Sequence, residues 1–143
     1  MIIYIALVAL AGTALWIRVA PSNAARWHVD PGTIAATDCA QLATTRTSAR
    51  VTCLRDGDPV ALLTALDQIA LDWPRTVRLA GSAETGRITW VTRSLLWGFP
   101  DYTTAQASVT PQGARLDILA RLRFGGFDQG VNAARLRAWV AKL

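Results

Sequence analysis

The sequence predicts an α+β domain carried behind an N-terminal membrane helix, and three observations predict it. An uncharged apolar run opens the chain. Residues 114–124 alternate apolar and polar side chains with a period of two. Residues 59–71 and 131–143 repeat apolar side chains at helical spacing. The chain has 143 residues, which suits one domain plus a short extra element. The expected division is an anchor over 1–20 and a single domain over 21–143.

The opening run, Ile2 to Ile17, carries no charge. Sixteen helical residues span about 24 Å, somewhat less than the roughly 30 Å of a bilayer core. Arg18 can snorkel toward headgroups, which lets Val19 and Ala20 extend the span. Tyr4 and Trp16 stand near its two ends, where amphipathic aromatics are favoured, and Pro21 stops the helix. A signal peptide and a buried core helix are the alternatives. Against the first, no Lys or Arg precedes the run; against the second, it has no polar stripe. The hydrophobic fraction, 52%, is high for a soluble domain, and much of the excess lies in this segment. Residues 2–17 thus name membrane lipid as the first partner.

Orientation is contested. Arg18 and Arg26 follow the span, which by the positive-inside rule favours a cytoplasmic domain. The two cysteines, Cys39 and Cys53, close a short loop and suit a disulfide, which favours an oxidising compartment such as a periplasm. Such a bridge would contribute about 3 kcal/mol in a chain-entropy estimate. Two unrelated buried thiols fit the spacing as well. The balance leans toward a single-pass protein of a bacterial inner membrane with a periplasmic domain.

Residues 22–55 read as an irregular lead-in, with a short strand at 49–54. Asp58-Pro59 is a helix start, an N-cap followed by Pro at the first helical position. Leu62, Leu63, Leu66 and Ile69 form one face of the helix at 59–71, which Trp73-Pro74 ends. Strands follow at 76–80, 87–95, 103–109 and 114–124, with turns at 81–86 and 111–113. In the last strand Leu116, Ile118, Ala120, Leu122 and Phe124 point inward, while Arg115, Asp117, Arg121 and Arg123 point outward. One-sided alternation implies antiparallel strands with one face packed and one wet. Asp128 caps a last helix, with Leu136, Trp139, Val140 and Leu143 facing inward. The expectation is an antiparallel sheet of about four to five strands packed by two helices.

The charge is +5, and Lys142 is the only Lys. The arginines are spread rather than blocked, so nothing points to nucleic acid, and anionic phospholipid is an equally good partner. His28 is the only His, and no CxxC pair exists, so no metal site is expected. Ser94 lacks a His partner, Glu84 is the sole Glu, and no phosphate-loop or dinucleotide fingerprint is present. No catalytic residues and no cofactor are assigned.

Two stretches share one local form, a strand ending in Arg, then Gly, an aromatic and Asp. They are Thr92-Arg93-Ser94-Leu95-Leu96-Trp97-Gly98-Phe99-Pro100-Asp101-Tyr102 and Arg121-Leu122-Arg123-Phe124-Gly125-Gly126-Phe127-Asp128-Gln129-Gly130-Val131-Asn132. With Trp27-His28-Val29-Asp30-Pro31, they resemble the bacterial and plastid family catalogued as domain of unknown function 1499, over roughly residues 27–143. Where that family often has Ser-Arg-Ser-Arg, this chain has Ala120-Arg121-Leu122-Arg123. The resemblance implies a fold and a membrane or envelope setting, not a reaction.

The motif residues Arg93, Trp97, Asp101, Arg121, Arg123, Asp128 and Asn132 are the candidate anion- or partner-binding set. In the functional reading, the arginines converge with the two Asp residues into an anion pocket. In the structural reading, Asp101 and Asp128 cap turns or helices and pair with the arginines across the sheet. Trp97 is the candidate exposed contact, whereas Trp90 and Trp139 suit the core. The first functional expectation is a membrane-anchored, non-catalytic binding or scaffold domain contacting a protein partner or lipid. A carrier of a small apolar or lipid ligand comes second, and an enzyme acting on an anionic substrate through Arg93, Arg121 and Asp128 third.

Overall fold

A computed structural model describes residues 1–34, 39 and 41–143. Residues 35–38 and 40, part of the expected irregular lead-in, lie outside the described residues. The architecture is α+β. An apolar helix, α1 (Ile2–Val19), is followed by a short helix, α2 (Ala24–Trp27), and two strands, β1 (Ala43–Thr44) and β2 (Ser48–Arg55). Then come α3 (Pro59–Leu71), β3 (Thr76–Ser82), β4 (Arg87–Arg93), β5 (Pro100–Thr110), β6 (Gly113–Leu122) and α4 (Val131–Val140). The strands form one antiparallel sheet in the order β1-β2-β6-β5-β4-β3. Six strands replace the expected four to five. The addition is β1, a two-residue strand with no apolar alternation to announce it, and β2 is longer than its apolar stretch suggests.

α1 is long and apolar enough to cross a membrane, as a single span or a signal sequence is, and none of its residues is buried in the domain. α3 keeps the bounds that its start and stop signals predict. Asp58 caps it by accepting from the Ala61 amide at 2.9 Å, and Pro59 opens the first turn. Leu63, Leu66 and Ala70 are buried against the sheet, with Leu62 and Ile69 half-buried at the margins. β5 and β6 are joined by the two-residue turn Pro111-Gln112, and Thr110 pairs with Gly113. Gly113 has φ +116°, and a Cβ there would stand 2.5 Å from the Arg55 carbonyl oxygen, so only glycine fits.

The core lies between the sheet and the pair α3 and α4. Val51, Ile88, Trp90, Leu116 and Ile118 supply the sheet side, and Leu63, Leu66, Leu136 and Trp139 the helix side. Trp90 and Trp139 are fully buried and meet edge to face at 5.6 Å. Asp67 of α3 is also buried. It accepts from Trp90 Nε1 at 2.8 Å and forms an ion pair with Arg78 of β3, which fastens the helix to two strands. Cys39 and Cys53 are joined by a disulfide that ties the lead-in segment to β2.

The other face of the sheet is not wet. The chain leaving α1 crosses it, and Trp27 stacks on Tyr102 with ring centroids 3.9 Å apart and planes 7° from parallel. Val91 and Leu79 complete a second small apolar cluster. Alternation along the strands separates two faces correctly, but it cannot show that an irregular segment covers the second one. Asp128 likewise acts one step removed from the expected N-cap. Gly130 is the N-cap residue, and the Asp128 carboxylate accepts from the Gly130 and Asn132 amides at 2.9 and 3.3 Å.

Replacing Asp67 with Ala leaves the buried Trp90 N–H without an acceptor and Arg78 without its partner. Urea denaturation should show a loss of about 1–3 kcal/mol. Asp58→Ala, which removes only an exposed cap, should cost about 1 kcal/mol.

Candidate functional site

The two motif stretches meet at one end of the sheet, where β4 passes through a loop at 94–99 into β5 and β6 passes through 123–130 into α4. Antiparallel pairing brings these ends together, because the start of β5 lies between the ends of β4 and β6. The same pairing divides the side chains. Arg93 pairs in register with Pro100 and Arg121 with Tyr102, and both point to the outer face. Asp101 pairs with Thr92 and Leu122 and points to the helix face. The expected convergence of Arg93, Arg121 and Arg123 with Asp101 and Asp128 therefore does not form.

The outer-face arginines of the two motifs are bound to backbone carbonyls and a hydroxyl rather than to carboxylates. Arg121 donates to the Trp27 carbonyl at 2.7 Å and lies over its indole ring, 5.0 Å from the centroid. Burial, with Arg50 nearby, pushes its pKa down from the usual arginine value. Arg123 donates to the Pro21 carbonyl and the Tyr102 hydroxyl, both at 2.9 Å. Arg93 donates to the Gly98 carbonyl at 3.0 Å, and Gly98 makes the turn with φ +70°. These contacts replace the Arg–Asp pairs expected across the sheet.

On the helix face a different arginine serves the aspartates. Arg135, 3% exposed, donates to Asn132 Oδ1 and stands 3.9 Å from the Asp101 carboxylate. Asn132 donates through Nδ2 to Asp128 at 2.9 Å, and the Asp128 amide donates to the Arg46 carbonyl. The chain Asp101–Arg135–Asn132–Asp128 thus links β5, α4 and the segment before β2. Sequence reasoning missed Arg135 although its position carried a signal. Asn132, Arg135, Leu136 and Trp139 share one helix face at spacings of three, four and seven. An arginine on a buried stripe has to be paired. Burial raises the Asp101 pKa from 3.8 to about 6, against the pull of Arg135 and with a further push from Asp128.

Clefts flank the 94–99 loop. One, of about 430 Å³, has Asp101 and Arg135 in its floor and Arg93, Ser94, Leu95 and Val131 at its rim. A second, about 500 Å³, shares Ser94, Asp101 and Val131 with it and adds Phe99, Phe124, Phe127 and Ile17. A third, about 440 Å³, opens on the outer side between Arg18, Arg75 and Arg93. Trp97 sits on the loop itself, 41% exposed. Ser94 accepts from the Phe99 amide. His28 is bonded to Thr89 on the outer face, with its pKa lowered by burial and Arg87. Ser94 therefore meets no His. Among the described residues no group of His, Cys, Asp or Glu is placed to hold a metal ion.

The chain belongs to the family described as protein of unknown function, DUF1499, whose model matches residues 27–143. The fold is similar to a solved structure, protein MLL2253 from Mesorhizobium loti, with a TM-score of 0.50 and 12% identity, covering 66% of this chain and 95% of that one. No curated protein matches the chain.

Asp101 gives the fold a pH dependence whose sign is fixed. Its folded pKa, about 6, lies above the unfolded value, so its contribution is complete below about pH 4 and is lost as pH rises through 6. Urea midpoints measured from pH 4 to 7 should contain a falling component with this window. Asp101→Asn should remove that component, and a carboxyl chemical-shift titration should put the Asp101 midpoint near 6.

Proposed function

We propose that the chain is a membrane-anchored, non-catalytic binding domain that seats its motif-bearing end on the bilayer surface. One observation carries the reading: exposed apolar side chains gather on the two motif segments beside the last turn of α1. Leu95 (77% exposed), Leu96, Trp97, Phe127 and Val131 are all solvent-facing. Trp16 meets Phe124 edge to face at 5.6 Å, Ile17 lines the Phe-rich cleft, and Arg18 donates to the Leu96 carbonyl at 2.8 Å. If α1 spans a bilayer, these loops lie at headgroup depth, where aromatic and arginine side chains are favoured. Among the described residues no His stands beside Ser94, which supports binding rather than hydrolysis.

The second reading, a carrier of an apolar or lipid ligand, finds support only in the cleft formed by Phe99, Phe124 and Phe127. Between the sheet and its helices, the expected carrier position is occupied by Trp90, Trp139, Leu63 and Leu66. The Cys39–Cys53 disulfide supports placing the domain on an oxidising side of the membrane.

Spin labels at Leu96→Cys and Val109→Cys, in full-length protein reconstituted into vesicles with anionic lipid, test the docking. Val109 is exposed at the far end of β5. The Leu96 label should be accessible to dissolved oxygen and shielded from an aqueous relaxer, and the Val109 label should be open to both. Equal aqueous access at both sites would refute docking. In intact spheroplasts, an impermeant maleimide should label Val109→Cys if the domain lies outside the cytoplasm; labelling only after lysis would reverse the orientation.

A further inference from the structure

We propose that the cleft between Arg18, Arg75 and Arg93 is a binding site for the phosphate of an anionic phospholipid headgroup, an inference that rests on the membrane-docking reading. The cleft is lined by those three arginines together with Val77, Ser94 and Leu95 beside Gly98, and among the described residues no acidic side chain lines it. Arg78, Arg87, Arg115 and Arg135 each stand within ion-pair distance of an aspartate, whereas the cleft arginines are held by backbone carbonyls. Arg18 donates to Leu96 O at 2.8 Å, Arg75 to Arg93 O at 3.0 Å and Arg93 to Gly98 O at 3.0 Å.

Those bonds orient the guanidinium groups without neutralising them. Each guanidinium has five N–H donors, so most remain available to a ligand. Three like charges around one cleft repel one another and favour a counter-anion. Phosphate suits the set, because its oxygens accept the paired donors of a guanidinium fork. Ser94 takes the Phe99 amide on its oxygen, which leaves its hydroxyl hydrogen for the same anion. A volume of about 440 Å³ exceeds a bare phosphate and admits a glycerol unit, with Val77 and Leu95 offering apolar contact beyond it.

The position argues for lipid as the source. Arg18 belongs to the last turn of α1, so the cleft opens where the apolar helix leaves the domain. The neighbouring cleft shares Arg75, Arg93, Ser94 and Leu95 with this one, but Asp101 stands beside Arg135 in its floor, a counter-charge that is missing on the Arg18 side among the described residues.

The test uses full-length protein in non-ionic detergent micelles, with retained lipid counted by native mass spectrometry. The probes are phosphatidylglycerol and palmitate, an anionic amphiphile without phosphate. One phosphatidylglycerol should be retained in preference to palmitate. Arg75→Gln and Arg93→Gln should each weaken retention about fivefold, the scale expected for one cation at a lipid surface. Arg137→Gln, which removes an exposed charge on α4, should leave it unchanged, and circular dichroism should show all variants folded. Equal retention of palmitate, or retention unaffected by the Arg75→Gln/Arg93→Gln pair, would overturn the site. Calorimetric binding of inorganic phosphate as tight as the lipid, with the same arginine dependence, would overturn the headgroup assignment. The Leu96 spin label separates this result from docking: a label at headgroup depth with no phosphate preference defeats the site alone.

Discussion

The outer face of the sheet carries Tyr102 and Val91 in register, and an aromatic-aliphatic surface of that kind has to be taken out of water. The chain that leaves α1 supplies the cover. Trp27 stacks on Tyr102, and its carbonyl accepts from both Arg121 and Thr104. Arg123 reaches farther back, to the Pro21 carbonyl, while Ser22 and Tyr102 share a hydrogen bond at 2.8 Å. Conspicuous motif arginines are thus engaged in holding irregular backbone against a sheet. Pro21 is two residues beyond the end of α1, so fixing it also brings the last turn of the helix to the 94–99 loop.

The helix face solves a different problem. Asp101, Asp128, Asn132 and Arg135 are all buried, and ionised groups in such a place are tolerated only when paired. Their network holds the start of α4 against β5 and satisfies the amides at its N-terminus. The pairing of Asp101 is incomplete, since its Oδ1 and the Arg135 Nε lack protein partners. Burial consequently governs its pKa more than Arg135 does. Two uses of arginine stand side by side: Arg135 is buried among counter-charges under α4, whereas Arg18, Arg75 and Arg93 are bonded to backbone carbonyls and line a cleft on the outer side.

Much of this was legible in the sequence where the signal was local. Asp58-Pro59 and Trp73-Pro74 bracket α3 because capping and proline act within one turn. The strict alternation from Leu116 to Ala120 identified the inward side of β6, and Trp90 and Trp139 were readable as core from the pattern around them. The candidate site was legible only as a location. Both motif stretches do reach the same end of the sheet, and alternation placed Arg121 and Arg123 outward, but nothing in the spacing revealed that Asp101 stands on the opposite face. β1 was not legible, since two exposed residues pairing at an edge have no periodicity.

The sequence by itself determined the apolar helix, the α+β class, the inward faces of the strands and the two motif loops, because each follows from residue spacing along a few turns or strand pairs. Tertiary structure alone decided what covers the outer face and which arginine pairs with Asp101. It also decided which three arginines share a cleft. Arg18, Arg75 and Arg93 come from a helix end, the residue before β3 and the end of β4, and only strand order and the path of the chain after α1 bring them together. Charge pairing depends on distance in space, and over such separations in sequence, distance is set by the fold.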